Sequence, residues 1–236
     1  TYNTNLERNI SNINNKNNGA RNTTELGSNT IQINGTLNTT KGFNNNCLIN
    51  GSDNEIANGI NNATVLGIGG KSESQGEFVI GGGHNAINYE SGLTELTAYA
   101  DRKMSVVNLS GITSDNTATD LTVNGDGTNY INVKNNSVVG FEIYITRLEV
   151  GGSAATLGNY SYKNIKGVVR IDNSGTMAFI VGYTRNIGKI GVNGTTVMRG
   201  NTSSSITIQV TDRTNVTNIW SATVTLHELI STNITF

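Results

Sequence analysis

Apolar and polar positions repeat every 16 residues between positions 14 and 89. Glycines occur at this interval, at Gly19, Gly35, Gly51, Gly67 and Gly83. When the repeats are aligned, one column contains Ile31, Cys47, Ala63 and Val79, and a second contains Ile33, Ile49, Val65 and Gly81. Repetition at a constant interval indicates stacked structural units rather than a single globular core.

The length of the repeat limits what each unit can be. A segment of 16 residues has no room for a helix and its return, but it accommodates two strands of about four residues joined by tight turns. Asn-Gly pairs at 34–35, 50–51 and 58–59, with glycine-rich runs at 67–70 and 81–83, supply the positive φ angles of such turns. The pattern therefore predicts coils of β-structure.

A single chain of such coils is expected to be marginally stable. Each coil buries only a few apolar side chains, worth about 1.5–3 kcal/mol apiece, whereas ordering each residue costs about 1–2 kcal/mol. Three identical chains that share their apolar columns on a common axis offset this cost better, so we expect an intertwined homotrimer. The alternative is a monomeric solenoid in which each coil contacts only its neighbours.

From Arg102 onward the pattern changes to alternation over short runs, which is typical of strands with one buried face. These runs lie at 104–109, 120–124, 130–133, 139–150, 160–171, 176–183, 206–211 and 220–227. In the run 139–150 the apolar side consists of Phe141, Ile143 and Ile145, and the other side carries Glu142, Tyr144 and Thr146. The glycines on both sides of Asp126 predict a hairpin there. About eight to ten strands without a helix predict an antiparallel sandwich.

The fold class predicted from these patterns is all-β, with a trimeric β-helix-like repeat shaft followed by an antiparallel jelly-roll-type β-sandwich. The chain divides into an Asn-rich lead-in or shaft end (1–29), the 16-residue β-coil repeats (30–89), a connector (90–101) and a C-terminal β-sandwich tip domain (102–236). Since the first residue is Thr1 rather than Met, we expect the chain to be a processed or excised piece of a longer protein.

Composition narrows the classes of function. Charged residues make up 14% of the 236 residues and the net charge is -1, so no basic surface for nucleic acid is indicated. The apolar runs are far shorter than a membrane span, and no basic-then-apolar leader is present, so we expect no membrane insertion. An Asn-rich chain can instead be disordered, but the regular glycine interval argues against that alternative.

Metal and cofactor chemistry has few candidate residues. The single cysteine, Cys47, lies in an apolar column and is expected to be a small buried hydrophobe. The two histidines, His84 and His227, lie in unrelated contexts, so neither a metal centre nor a Ser-His-Asp triad is expected within one chain. The alternative is a ring of three His84 side chains on a trimer axis that holds a metal ion. We expect no cofactor and no metal site.

Catalytic carboxylates are not indicated either. Enzymes that hydrolyse polysaccharides use paired carboxylates about 5–9.5 Å apart. Asp115, Asp120 and Asp126 cluster in one region of the sequence, and Asp172 and Asp212 lie at predicted strand ends. Acidic residues at such places are ordinarily turn formers. We therefore expect no catalytic residue and no enzymatic activity.

Saccharide recognition uses aromatic faces together with neutral hydrogen-bonding groups. The polar aromatic residues of the second half are Tyr130, Tyr144, Tyr160, Tyr162, Tyr183 and Trp220. Tyr160 and Tyr162 are two residues apart and so share one strand face, which makes them the candidate receptor-binding residues. The alternative is that both belong to the core. Trp220 alternates with Ala222 and Val224 and is expected in the core.

Short motifs in the second half follow one another in a characteristic order and spacing. They lie at 120–125, 138–150, 166–170, 176–182, 219–224 and 226–229. In this order they resemble a module found at the ends of bacteriophage tail-fibre and related virion proteins. The repeats ahead of them are similar to the glycine-punctuated coils of phage fibre shafts and of trimeric bacterial adhesin heads. The resemblance implies a homotrimeric virion fibre whose tip contacts the host surface, and it carries over no catalytic residue.

The residues and the resemblance together predict a structural virion fibre protein of a bacteriophage, located on the virion and extracellular. We expect a homotrimer that contacts other virion proteins through its N-terminal end, and whose tip binds a host cell-surface receptor, expected to be a glycan. One alternative is a purely structural head fibre or decoration protein without a specific ligand. The other alternative is a polysaccharide depolymerase tailspike.

Overall fold

The computed structural model describes residues 6–7, 14–83, 102–202 and 204–230. The regular secondary structure of these residues consists of β-strands, so the predicted all-β class is confirmed for them, and they contain no helix able to cross a membrane. The chain divides into two compact units, Thr1–Val106 with His227–Ile230 and Val107–Leu226 with Ser231–Phe236. The predicted connector, 90–101, lies outside the described residues, and the predicted domain boundaries stay a prediction.

The first unit is a β-solenoid of about four turns, each made of one longer strand and one strand of two residues. Its strands are β1 (Leu6–Glu7), β2 (Lys16–Ala20), β3 (Thr23–Thr24), β4 (Asn29–Thr36), β5 (Thr39–Thr40), β6 (Asn45–Ser52), β7 (Glu55–Ile56), β8 (Thr64–Ile68), β9 (Lys71–Ser72) and β10 (Phe78–Gly82). Even-numbered strands form one parallel ladder and odd-numbered strands form the other. The first residues of β11 (Arg102–Thr113) pair with β10 in the antiparallel sense, so the parallel stack ends there.

The 16-residue interval is the pairing register of the longer strands. Gly35 lies beside Gly51, and Gly51 lies beside Gly67. The last turn is two residues shorter, because Gly67 pairs with Gly81 and not with Gly83 as the sequence predicts. The interval predicted from the sequence therefore holds for the complete turns and fails at the final one.

Close stacking of the turns requires glycine in this column. Gly35 has φ +126°, and a Cβ atom there would lie 1.8 Å from the Gly51 carbonyl oxygen. Gly51 has φ +141°, and a Cβ atom there would lie 1.9 Å from the Gly67 carbonyl oxygen. Since no side chain fits at these distances, the glycine column sets the spacing of the turns.

The apolar columns of the first unit are buried within a single chain. Ile33, Ile49 and Val65 have no exposed surface. The buried cluster to which they belong consists of Ile31, Ile33, Cys47, Ile49, Ile56, Ile60, Ala63, Val65 and Val79. The predicted intertwining of three chains around these columns is therefore wrong, because each chain forms a solenoid with a core of its own.

Buried asparagines also hold the turns together. Asn22, Asn38 and Asn54 are fully buried and lie in one column at the 16-residue interval. The Asn38 Oδ1 atom accepts hydrogen bonds from the backbone N–H and from the Nδ2 atom of Asn54, both at 3.1 Å. The Asn38 Nδ2 atom donates to the Gly51 carbonyl at 2.9 Å. Each amide thus bridges adjacent turns and satisfies backbone groups in the interior.

A lysine from β11 is buried in the first unit between two carboxylates. The Lys103 Nζ atom lies 3.2 Å from Glu77 Oε1 and 3.4 Å from Glu228 Oε2, and all three side chains are at most 2% exposed. Burial alone would lower the pKa of Lys103, but the two carboxylates, Glu77 foremost, outweigh burial and hold this pKa above its usual value. Lys103 is therefore a cation throughout the physiological pH range.

The second unit contains two sheets around one core. Its strands are the rest of β11, then β12 (Thr119–Val123), β13 (Ile131–Asn132), β14 (Ser137–Gly151), β15 (Tyr160–Ile171), β16 (Met177–Ile190), β17 (Thr195–Thr202), β18 (Ser205–Thr211) and β19 (Thr217–Ile230). In the larger sheet the order is β16-β15-β14-β19-β11, and in the smaller one β18 pairs with β12, β13 and β17. β12 also pairs with β11 and so connects the two sheets. Phe141 from the larger sheet and Ile208 from the smaller one share the core with Trp220. Trp220 is thus buried as predicted, and its Nε1 atom donates to Thr113 Oγ1 at 2.9 Å.

The predicted jelly roll is not shown. Successive strands β14, β15 and β16 form an antiparallel meander in one sheet, whereas a jelly roll is built from two Greek keys. The predicted hairpin around Asp126 is wrong, because within the described residues β12 and β13 both pair with β18. Asp126 instead closes a loop, since its Oδ1 atom accepts the backbone N–H groups of Thr128 at 2.8 Å and Asn129 at 2.9 Å.

Candidate functional site

The outer face of the β14–β15–β16 meander carries the candidate site. The alternation predicted for β14 is confirmed, because Phe141 and Ile143 are buried whereas Tyr144 is 39% exposed. Residues paired across neighbouring strands point to the same face of a sheet. Tyr144 on β14 pairs with Asn164 on β15, which pairs with Arg185 on β16. These three residues therefore form one row across the meander.

A groove of about 650 Å³ lies on this face. It is lined by Tyr144, Asn164, Lys166, Tyr183, Arg185 and Ile187. Lys166 on β15 pairs with Tyr183 on β16, just as Asn164 pairs with Arg185, so the side chains of both pairs lie on the face that carries the groove. Register shifts lie on both sides of the segment 163–166 in β15. Such irregularities change the direction of side chains and are common next to binding sites.

One carboxylate orients three side chains of the groove. The Glu142 Oε1 atom lies 2.9 Å from Lys166 Nζ and accepts a hydrogen bond from Asn164 Nδ2 at 3.2 Å. The hydrogen bond with Lys166 is the main reason that the pKa of Glu142 is lowered, and it raises the pKa of Lys166. A hydrogen bond to Glu142 likewise raises the pKa of Tyr144. The Tyr144 hydroxyl is therefore protonated, and the charge of Lys166 is balanced.

The two tyrosines proposed from the sequence lie beside the groove and outside its lining. Tyr160 is 39% exposed, and Tyr162 is half-buried on the same face of β15. The Tyr162 ring stacks on that of Tyr144, with 5.9 Å between ring centroids and 26° between planes. Tyr162 thus positions a groove tyrosine, whereas Tyr160 adds an exposed ring further along the strand. Their part in receptor binding stays a prediction.

The groove contains residues that the sequence did not single out. Tyr144 and Tyr183 belong to the wider set of polar aromatics, but Arg185 was not considered a candidate. Alternation within each strand assigns these side chains to one face. These side chains come together in one groove only because β14 and β16 both pair with β15. The sequence of a single strand does not show which residues of its neighbours it pairs with.

The acidic residues considered from the sequence take structural roles. The Asp115 Oδ1 atom accepts the backbone N–H of Thr117 at 2.7 Å, and the Asp172 Oδ1 atom accepts that of Ser174 at 2.9 Å. Asp120 instead forms an ion pair with Arg199, whose Nε atom lies 3.1 Å from Asp120 Oδ1. The residues at turns are therefore turn formers, as the sequence indicates.

Two carboxylates do lie together in the interior of the second unit. Arg147 bridges them, with its Nη1 atom 3.2 Å from Glu149 Oε1 and in contact with Asp212. Arg213 also contacts Glu149. The side chains of Arg147, Glu149 and Asp212 are at most 1% exposed. Guanidinium groups therefore contact both carboxylates, and neither carboxylate side chain is more than 1% exposed.

The described residues contain no group of three or more His, Cys, Asp or Glu side chains able to hold a metal ion. Cys47 lies in the solenoid core, and its burial raises the pKa of the thiol. The histidine suggested for a ring on a trimer axis, His84, lies outside the described residues.

Comparison with known proteins gives likenesses to solved structures. No family model and no curated protein matches the chain. Similar structures include the Acinetobacter baumannii phage AM24 tailspike protein (8% identity, TM-score 0.33), the tailspike protein gp49 from Acinetobacter baumannii bacteriophage Fri1 (11%, 0.29) and the Acinetobacter phage vB_ApiP_P1 tailspike protein (12%, 0.26). The matches cover 92%, 86% and 91% of this chain and 51%, 41% and 44% of the tailspikes. The chain therefore spans about half of their length or less.

One prediction is corrected by these likenesses. The chain was expected to have no enzymatic activity, but gp49 is described as a capsular polysaccharide depolymerase, which is an enzyme. The prediction of a phage protein agrees with all three likenesses at that coarse level.

Proposed function

We propose that this chain is a tail-associated protein of a bacteriophage that binds a saccharide of the host cell surface in the groove on the β14–β15–β16 meander. The observation that carries the proposal is the pair Tyr144 and Tyr183, which are 39% and 42% exposed and line one groove with amide and cationic groups. Tyrosines in a concave site offer an apolar ring face and a polar hydroxyl, which suits the mixed surface of a sugar ring.

The groove is organised before a ligand binds. Glu142 holds Asn164 and Lys166 through contacts of 3.2 and 2.9 Å, and Tyr162 supports the ring of Tyr144. A site whose side chains are already ordered loses less conformational entropy when it binds. These contacts therefore support a binding site rather than a set of unrelated exposed residues.

Tyr160 and Tyr162 belong to the proposed surface in different roles. Tyr162 is a positioning residue, because it acts through the ring of Tyr144. Tyr160 is exposed on the same face and offers a further contact to a saccharide longer than the groove. The proposed site is therefore centred on Tyr144 and Tyr183, and Tyr160 and Tyr162 lie beside it.

A homotrimer attached to other virion proteins through its N-terminal end is part of the proposal. β16 is the last strand of its sheet among the described residues. Four of its apolar side chains are 49–65% exposed, namely Ile180, Val181, Ile187 and Ile190. Exposed apolar side chains along a sheet edge favour contact with another chain. Light scattering is expected to give about three times 25.1 kDa, and a mass of 25.1 kDa would contradict the trimer.

Direct binding tests the proposed function. Capsular polysaccharides and lipopolysaccharide O-chains, purified from a panel of bacteria, are titrated into the chain by calorimetry. Tyr144→Ala and Tyr183→Ala are each expected to weaken binding of the recognised polysaccharide by about tenfold or more, which corresponds to about 1.4 kcal/mol. Tyr130→Ala is the matched control, because Tyr130 lies in a loop outside the groove and is expected to leave the affinity unchanged.

The outcomes separate the possible functions. Unchanged affinity in both groove variants would place the saccharide site elsewhere on the chain. No binding by the unmodified chain to any polysaccharide would favour a purely structural virion part. Release of reducing ends in the same samples shows whether the bound polysaccharide is also cleaved, as a depolymerase requires.

A further inference from the structure

Within the part of the chain that the structure describes, one positive charge in the groove has no counter-ion. Lys166 is paired with Glu142 at 2.9 Å, but Arg185, which lines the same groove, forms no ion pair or side-chain hydrogen bond with the described part of the chain. Arg185 is exposed, and its five N–H donors have no hydrogen-bond acceptor among the described residues. The groove therefore has a net positive charge concentrated at Arg185.

The side chains around Arg185 differ between the two sides of the groove. Arg185 lies in the same cross-strand row as Asn164 and Tyr144. Glu142 already accepts hydrogen bonds from Lys166 and Asn164 on the β14 side of the groove. An incoming ligand thus meets an occupied carboxylate on one side and a free guanidinium on the other. A planar guanidinium binds carboxylate and phosphate oxygens through two parallel hydrogen bonds.

We propose that the groove selects an anionic saccharide, and that Arg185 binds its carboxylate or phosphate group while Tyr144 and Tyr183 pack against the sugar ring. This inference rests on the proposed function, since it names the class of ligand for the same groove. It also assigns Arg185 as the residue that determines specificity, whereas the tyrosines bind anionic and neutral sugars alike.

Charge variants test the inference with one polysaccharide that the chain binds. Arg185→Gln is expected to weaken binding of the anionic polysaccharide by about tenfold or more, and Arg185→Lys is expected to recover part of the loss because it keeps the charge but not the bidentate geometry. Lys189→Gln is the matched control, since Lys189 is exposed on the same strand outside the groove lining. Added salt is expected to weaken binding to the unmodified chain more than to Arg185→Gln.

Chemical modification of the polysaccharide distinguishes the two anionic groups. Reduction of its carboxyl groups to alcohols is expected to match the loss seen in Arg185→Gln if the ligand is a carboxylate. Removal of its phosphate groups is expected to do so if the ligand is a phosphate. Equal affinity of the native and both modified polysaccharides for the unmodified chain would overturn the inference.

Failure of the inference and failure of the proposed function give different results. If Tyr144→Ala and Tyr183→Ala weaken binding but Arg185→Gln does not, the groove is the site and the charge selectivity is wrong. If none of these variants changes the affinity, the groove is not the site and both proposals are overturned. If only Arg185→Gln weakens binding, the anion site stands and the aromatic contact is wrong.

Discussion

The buried asparagine column gives a direct test of how a single chain holds its solenoid together. Asn38→Ala removes an amide on which two neighbouring turns depend. The Asn38 Oδ1 atom accepts the backbone N–H of Asn54 at 3.1 Å, and the Asn38 Nδ2 atom donates to the Gly51 carbonyl at 2.9 Å. Alanine has no polar atom to replace either contact. The substitution therefore removes the acceptor of the Asn54 backbone N–H and a donor to the partly buried Gly51 carbonyl, whereas the Asn54 Nδ2 atom keeps its hydrogen bond to the Gly67 carbonyl.

The size of the effect follows from these two groups. An unpaired buried donor or acceptor costs about 1–3 kcal/mol, so Asn38→Ala is expected to lower the free energy of unfolding by about 2–6 kcal/mol. Small domains are stable by only about 5–15 kcal/mol. The variant is thus expected to lose a large fraction of the stability of the first unit.

Urea denaturation followed by circular dichroism measures this loss. Trp220 is the only tryptophan of the sequence and lies in the second unit, so its fluorescence reports on the unfolding of that unit. A loss of stability that appears in the circular dichroism and not in the fluorescence is therefore assigned to the solenoid. Asn50→Ala is the matched control, because Asn50 is exposed on β6, and its effect is expected to stay within about 0.5 kcal/mol. Equal stability of Asn38→Ala and Asn50→Ala would refute the structural role of the asparagine column.

Three further predictions concern the glycine column, the buried lysine and the stacked tyrosines. Gly51→Ala, which places a Cβ atom 1.9 Å from a carbonyl oxygen, is expected to destabilise the chain by at least about 3 kcal/mol in urea, against about 1–2 kcal/mol for the unobstructed Gly59→Ala. Lys103→Met removes the cation that contacts two buried carboxylates, Glu77 at 3.2 Å and Glu228 at 3.4 Å, and is expected to cost about 3–5 kcal/mol at neutral pH. Because folding raises the pKa of Lys103, its contribution to the free energy of unfolding is fully present below about pH 10.4 and is lost as the pH rises through the higher pKa of the folded state. Denaturation at alkaline pH is therefore expected to show this loss of stability in the unmodified chain and not in the variant. Tyr162→Ala removes the support of the Tyr144 ring and is expected to weaken saccharide binding by about two- to tenfold in calorimetry; an unchanged affinity would exclude a positioning role.

The sequence predicts the register of the solenoid turns well at positions where only glycine fits the space between adjacent turns. Gly35 and Gly51 leave no space for a Cβ atom, so their spacing reproduces the register of the turns. The last turn was predicted less well because glycines occur at 81, 82 and 83, and each of them satisfies the same local requirement. Only the pairing of Gly67 with Gly81 decides between them.

The error about intertwining arose from an incomplete estimate of what a single chain buries. The prediction considered the two apolar columns and omitted the strands of the second ladder, where Ile56 is fully buried. It also omitted Asn22, Asn38 and Asn54, although their 16-residue interval is visible in the sequence. Buried amides that satisfy the backbone make a narrow core feasible without a second chain.

The candidate site was only partly accessible to sequence reasoning. Alternation within β15 correctly puts Tyr160 and Tyr162 on one face. It does not specify which residue of β16 lies beside Asn164, because the register depends on two irregularities in the β15–β16 ladder. Arg185 and Tyr183 therefore enter the groove through pairing that only the structure provides.

A crystal structure of the chain with an oligosaccharide from the polysaccharide it binds would test the central claim most directly. The expected result is a sugar ring packed against Tyr144 and Tyr183 in the groove, with an anionic group hydrogen-bonded to Arg185. An oligosaccharide bound to the solenoid of the first unit, with the groove on the meander unoccupied, would contradict the account.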